Sequence, residues 1–120
     1  MTEMDIESFR EFCMSKKGVS ECFPFDNVTL VYKVMGKIFA LTDVESFESI
    51  NLKCDPETAI NLRELYPGVQ PGYHMNKTHW NTIVLDGSIT NDLIYSWTEH
   101  SYELVVKKLP TKLRKELQNL

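Results

Sequence analysis

The sequence predicts an α+β fold, an antiparallel sheet with helices packed on one face, in a single domain over residues 1–120. Three observations carry this. Val28, Leu30, Tyr32 and Val34 alternate with Thr29, Val31 and Lys33, the period of a strand, and two further alternating runs follow. Apolar residues near both ends recur at three and four, the period of an amphipathic helix. The resulting order of helix, meander, helix, strand and helix is that of helices segregated to one side of a sheet.

Taken in order, residues 3–17 form the first helix, capped by Thr2 with Asp5 three residues on. Ile6, Phe9, Phe12 and Cys13 make its apolar face, and Gly18 suits the position just past its end. Glu3, Glu7 and Glu11 form an acidic stripe of the kind a solvated face carries. A short edge strand is expected over 21–25, since Pro24 would be excluded from a central one. The strand over 28–34 turns at Met35-Gly36 into a second over 37–43, with Phe39 and Leu41 on one face and Ile38 and Ala40 on the other. Met35 is a poor first residue for a primed two-residue turn. A third run over 49–54 puts Ile50, Leu52 and Cys54 on one face, Asn51 and Lys53 on the other. Asp55-Pro56-Glu57 is a strong helix start, and that helix carries Ala59, Leu62, Leu65 and Tyr66 up to Pro67. Residues 80–85 make another strand, with Trp80, Thr82 and Val84 opposite Asn81, Ile83 and Leu85. Thr90 or Ser88 caps a long helix along which Leu93, Ile94, Trp97, Ser101, Leu104, Val105 and Lys108 follow the helical period, and which packs on the sheet through Leu93, Trp97, Leu104 and Val105. Pro110 ends it, and Leu113, Leu117 and Leu120 mark a last helix with basic outer faces.

With 42% apolar and 25% charged residues the chain is globular in composition. Its net charge of −4 argues against wholesale attraction to nucleic acid or an anionic membrane. That charge is uneven. Residues 1–50 hold nine acidic and five basic groups, whereas residues 51–120 hold eight of each, so an anion-binding face must come from the second half. Cys13, Cys22 and Cys54 lack the C-x-x-C spacing and suit reduced thiols. No apolar run approaches membrane-spanning length and the first residues do not resemble a secretory signal, so a soluble, cytoplasmic protein is expected.

The most informative stretch is YPGVQPGYHMNKTHWNTIVLDG, from Tyr66 to Gly87. Two Pro-Gly pairs hold an irregular loop that crowds aromatic, amide, imidazole and ammonium groups together, and such loops commonly bind. Trp80 could fill the core while the amides satisfy loop backbone. Alternatively Lys77, His79 and Asn81, joined by Asn51 and Lys53, form a polar patch on the open sheet face, since Lys and Asn contact phosphates and base edges. His74 and His79 stand five apart, which diverges on a helix or a strand, and nothing beside them completes a ligand set. No metal, no cofactor and no catalytic residue is therefore expected, and none of the common catalytic motifs occurs.

These segments resemble the MmcQ/YjbR family: INLKCDPE at 50–57, LRELYPGV at 62–69, PGYHMNKTHWNT at 71–82 and LDGS at 85–88, together with FPFD at 23–26, KVMGKIFAL at 33–41 and HSYELVVKKLPTKLR at 100–114. Met35 departs from the Gly-Gly turn common in that family. The resemblance implies a frataxin-like (CyaY-like) fold and a non-enzymatic DNA-binding module that uses the open sheet face and the 71–82 loop. It carries over Asn51, Lys53, Tyr73, His74, Asn76, Lys77, His79, Trp80 and Asn81 as motif positions. Given the acidic balance, binding to DNA would be weak and salt-sensitive, with Lys77 and Lys53 as phosphate contacts and help from Lys107 to Lys115. The alternative is a module that binds a protein or a small ligand. Metal binding along the Glu3, Glu7 and Glu11 stripe, by analogy with frataxin-like folds, ranks last.

Overall fold

The structure is a computed structural model and describes residues 4–72 and 75–120. Helix α1, Ile6–Met14, starts at Asp5, whose carboxylate accepts the Ser8 N–H at 2.8 Å. The expected start lies three residues earlier, and Thr2 and Glu3 fall outside the described residues. Gly18 does not cap α1. With φ +72° it turns the chain into the first strand, and a Cβ there would come within 2.6 Å of Leu117 Cδ1.

Six strands form one sheet: β1 Val19–Cys22, β2 Thr29–Val34, β3 Lys37–Asp43, β4 Ser49–Lys53, β5 Val69–Pro71 and β6 Trp80–Val84. Their spatial order is β1-β2-β3-β4-β6-β5, and every neighbouring pair is antiparallel. The edge strand expected over 21–25 sits two residues earlier, which leaves Pro24 outside the ladder. β5 lies inside the stretch read as irregular loop. It is a sheet edge, where Pro71 removes no donor that the ladder needs.

A primed turn joins β2 to β3, with φ +49° at Met35 and +83° at Gly36. A bulge then changes which side chains share a face. Tyr32 pairs with Ala40 while Lys33 pairs with Ile38, so Phe39 is the extra residue. Because a bulge puts two consecutive residues on one side, Phe39 joins Ala40 in the main core and Ile38 joins Leu41 on the other face. The simple alternation expected for β3 is thereby overturned.

Helix α2, Pro56–Leu65, begins at the Asp55 cap. It buries Ala59 but leaves Leu65 70% exposed, so Leu65 is not a core residue. Helix α3, Asn91–Lys107, starts at Thr90, whose hydroxyl accepts the Leu93 N–H at 3.3 Å. Its buried positions are Ile94, Thr98, Ser101 and Val105; Ile94, Ser101 and Val105 lie on the expected periodic face, Thr98 was not expected there, and Leu93, Trp97 and Leu104 are only half-buried. The small hydroxyl residues sit deepest because they let the helix approach the sheet: Thr98 donates to Ile94 O, and Ser101 donates to Phe39 O. Trp97 is half-buried and meets Tyr66 edge-on with ring centroids 5.3 Å apart. Helix α4, Thr111–Gln118, closes the layer through Leu117.

The main core lies between the sheet and the helices, around Phe9, Tyr32, Phe39, Ile50, Ile83 and Ile94. The opposite face is not bare. Val31, Leu41 and Trp80 form a second, smaller cluster there, edged by Cys22, Ile38 and Met75.

Candidate functional site

Strand parity divides the sequence-predicted residues between the two faces. Lys53 pairs with Trp80 and Asn51 with Thr82, so these four side chains share the face away from the helices. Trp80 is only 7% exposed, in the second apolar cluster. It is a core residue of that face, and a buried ring offers little surface for base stacking. Asn51 is buried beside it and accepts the Thr82 hydroxyl at 2.6 Å.

Asn81 belongs to the other side. It is 1% exposed beneath α2, where its carbonyl oxygen accepts Arg63 Nε at 2.7 Å. The expectation that it joins a patch on the open face is therefore corrected: one residue along a strand reverses the side chain. Arg63 also donates to the Lys77 carbonyl and, at 3.3 Å, to the Trp80 carbonyl, which ties the 77–81 segment to α2. Asn76 shapes the turn before β6, its side chain accepting the Thr78 N–H at 2.8 Å and its carbonyl accepting the N–H groups of His79 and Trp80. His79 is half-buried, and its carbonyl accepts the Cys54 N–H. Tyr73 and His74 lie outside the described residues. Gly72 serves close approach rather than a left-handed backbone: a Cβ there would lie 2.8 Å from Trp80 Cβ and 3.0 Å from Trp80 O.

Lys77 therefore does not meet Lys53. It lines a shallow surface hollow with Pro56, Ile60, Arg63 and Thr78, on the α2 side. Lys53 instead converges with Lys33, Lys37 and Lys108 on a cleft of about 520 Å³. Ile38, Trp80, Val105 and Leu109 give this cleft an apolar floor, and no carboxylate lines it. Among the described residues none of the four lysines takes part in an ion pair. Burial, and then the charge of Lys108, hold the Lys53 ammonium below the ordinary lysine range. Four cations thus line one cleft over an apolar floor, and an anion there would feel less screening than in open water.

The sequence reading, which drew any anion-binding face from residues 51–120, missed Lys33 and Lys37 of the first half. Their signal was the β2–β3 turn, which they flank, but placing that turn beside Lys53 and Lys108 requires the sheet order. Ser101 positions the cleft from below: its hydroxyl accepts the Lys53 N–H at 2.9 Å while donating to the bulge carbonyl of Phe39. At the other end of the same face, Asp26, Asp43 and Glu48 line a second depression, with Met75 bordering both.

A separate pocket of about 240 Å³ lies between α2, α3 and the sheet, walled by Leu62, Ile83, Trp97, Asn81 and His100. His100 Nε2 is buried without a hydrogen-bond partner. Cys54 also lines this pocket, and burial pushes its thiol up to about 11. Among the described residues no cluster of three His, Cys, Asp or Glu could hold a metal ion, and no helix is long and apolar enough to cross a membrane.

Comparison with known proteins places these features in context. The YjbR family model matches residues 14–104. The Escherichia coli K12 protein YjbR, whose printed name calls it uncharacterised, is 36% identical over 118 residues, covering 98% of this chain and all of that one. The Escherichia coli O157:H7 protein YbdF, likewise named uncharacterised, is 33% identical over 93% of each chain. Among solved structures, Deinococcus radiodurans protein DR2400, of the DUF419 domain family, superposes with a TM-score of 0.90 at 39% identity, covering 97% of this chain and 89% of that one. A Pseudomonas syringae protein superposes with a TM-score of 0.71 at 29% identity over 84% of this chain and 98% of its own.

Proposed function

This chain belongs to the YjbR family, and on that premise we propose that it is a cytoplasmic, non-enzymatic module that binds DNA through the lysine cleft, where the open sheet face meets the end of α3. The observation that carries the reading is the convergence of Lys33, Lys37, Lys53 and Lys108 without carboxylate partners, in a protein whose net charge is −4. Lysines bind phosphate as point charges and fix a strand's position without reading its sequence. Affinity falls in the non-specific range, ~10⁻⁴–10⁻⁶ M at physiological salt, because few cations are available and the rest of the surface repels a polyanion. Lys77 lies apart from the cleft and contributes less than the sequence suggested. The helix-on-sheet arrangement also supports a frataxin-like reading of the fold.

Fluorescence anisotropy of a labelled duplex across a salt series tests this. Lys37→Glu and Lys108→Glu are exposed changes that leave the core intact. Together they should weaken binding at least tenfold and flatten the log–log salt slope by about two units. Lys77→Glu should do less. Absence of binding at low salt, or a larger effect from Lys77→Glu, would overturn the assignment.

A small-ligand module is the second reading, and the α2–α3 pocket favours it. Apolar walls with one unpartnered imidazole nitrogen are the composition of a site for a small, largely apolar molecule. Ser96→Trp, at the exposed mouth, should abolish saturable binding of such a compound while leaving DNA binding unchanged. A compound library that gives no saturable thermal shift with the parent protein would remove this reading.

A further inference from the structure

We propose that the lysine cleft takes the terminal phosphate of a DNA strand, a phosphomonoester, in preference to the internal phosphodiesters; this rests on the DNA-binding reading and specifies which part of the strand is held.

The first reason is shape. A protein that follows a duplex backbone spreads its cations along a track that matches the spacing of the phosphates. Here Lys33 and Lys37 come from the β2–β3 hairpin, Lys53 from the end of β4 and Lys108 from the end of α3, and they surround one cleft. A strand laid onward across the face would meet Asp26, Asp43 and Glu48, which line the depression at its other end. A strand that arrives end-on places its terminal phosphate among the lysines and keeps the next phosphates within the screened reach of the same charges.

The second reason is charge. A phosphomonoester carries about −1.5 to −2 at neutral pH and offers three acceptor oxygens, against one charge and two free oxygens for a phosphodiester. Four clustered ammonium groups repel one another, and Lys108 already disfavours the charged form of Lys53. A ligand of higher charge relieves that repulsion more. The third reason is size. At about 520 Å³ the cleft has room for more than a phosphate, and half-buried Ile38 and Met75 offer apolar contact to the sugar of one terminal nucleotide, since Trp80, Val105 and Leu109 are buried.

The experiment compares internally labelled duplexes that differ only in bearing a 5′-phosphate or a 5′-hydroxyl, using the full chain at low salt. The phosphorylated duplex should bind about five- to tenfold more tightly, the gain expected from one added charge held near several cations. In the Lys37→Ala, Lys108→Ala variant, both exposed positions, that ratio should fall towards one while the melting temperature stays unchanged. Inorganic phosphate and a nucleoside 5′-monophosphate serve as competitors and should displace the duplex only at far higher concentration than a 5′-phosphorylated oligonucleotide does. Equal binding of the two duplexes would overturn this inference and leave the DNA reading standing, whereas no binding of either would remove the DNA reading itself. Competition by the free nucleotide at the same concentration as the oligonucleotide would also overturn it, because the ligand would then be the nucleotide rather than a strand end.

Discussion

Ser101→Ala removes one oxygen and should cost far more than an oxygen usually does. Ser101 is fully buried at the centre of α3, and its hydroxyl joins two backbone groups of the sheet. It donates to the carbonyl of Phe39, the extra residue of the β3 bulge, which the ladder leaves without a regular partner. It accepts the N–H of Lys53 at the end of β4. Alanine would strand the buried Phe39 carbonyl and leave the part-buried Lys53 N–H without its acceptor. An unsatisfied buried backbone group costs about 1–3 kcal/mol, so the pair should cost ~2–4 kcal/mol after partial relaxation. For a chain of 120 residues that corresponds to a fall of roughly 10 °C in Tm. Urea unfolding followed by far-UV circular dichroism should show a lowered midpoint with an unchanged slope. Thr98→Val is the matched control. It deletes a hydroxyl of the same helix, but one that donates to Ile94 O, a carbonyl the helix already engages, so its cost should stay below about 1 kcal/mol. A Ser101→Ala cost under about 0.5 kcal/mol, or equal costs for the two variants, would refute the reasoning.

Gly72→Ala should destabilise by about 1–3 kcal/mol, since the new Cβ meets Trp80 backbone and side chain at 2.8–3.1 Å; a melt indistinguishable from the parent would show that the β5–β6 edge yields freely. Asn81→Ala should cost about 1–3 kcal/mol by stripping Arg63 of its buried acceptor, and should leave DNA sequence preference untouched, which anisotropy on two unrelated duplexes would check. Among the thiols, Cys54 is raised to about 11 by burial and Cys13 is raised further by the same cause. Iodoacetamide at pH 8 should therefore label half-buried Cys22 well before either, and early labelling of Cys54 by mass spectrometry would contradict its burial.

What the sequence determined by itself is the set of local features. Asp55-Pro56 starts α2, one of Ser88 and Thr90 starts α3, Met35-Gly36 turns β2 into β3, and the alternation from Trp80 onward assigns each side chain of β6 to a face. Each is decided within a few residues, by backbone sterics and by hydrogen bonds to neighbouring N–H groups. Even Asn81's burial was implicit, because its parity with Ile83 and opposition to Trp80 were visible; the attraction of an amide to a polar patch obscured it. The tertiary structure decided the rest. No local pattern signals that Phe39 and Ala40 share a face, since the bulge arises from how β3 matches β2. The periodic face of α3 already held Ile94, Ser101 and Val105, but close packing rather than periodicity chose Thr98 and sank it with Ser101 below Leu93 and Trp97, because small side chains permit the helix to approach the sheet. The lysine cleft depended most on the fold. Lys33, Lys37, Lys53 and Lys108 come from three strands and the end of a helix, and only the sheet order brings their charges together. Local chemistry fixes conformation within a few residues, but the electrostatic field of a site depends on distances that non-local pairing alone sets.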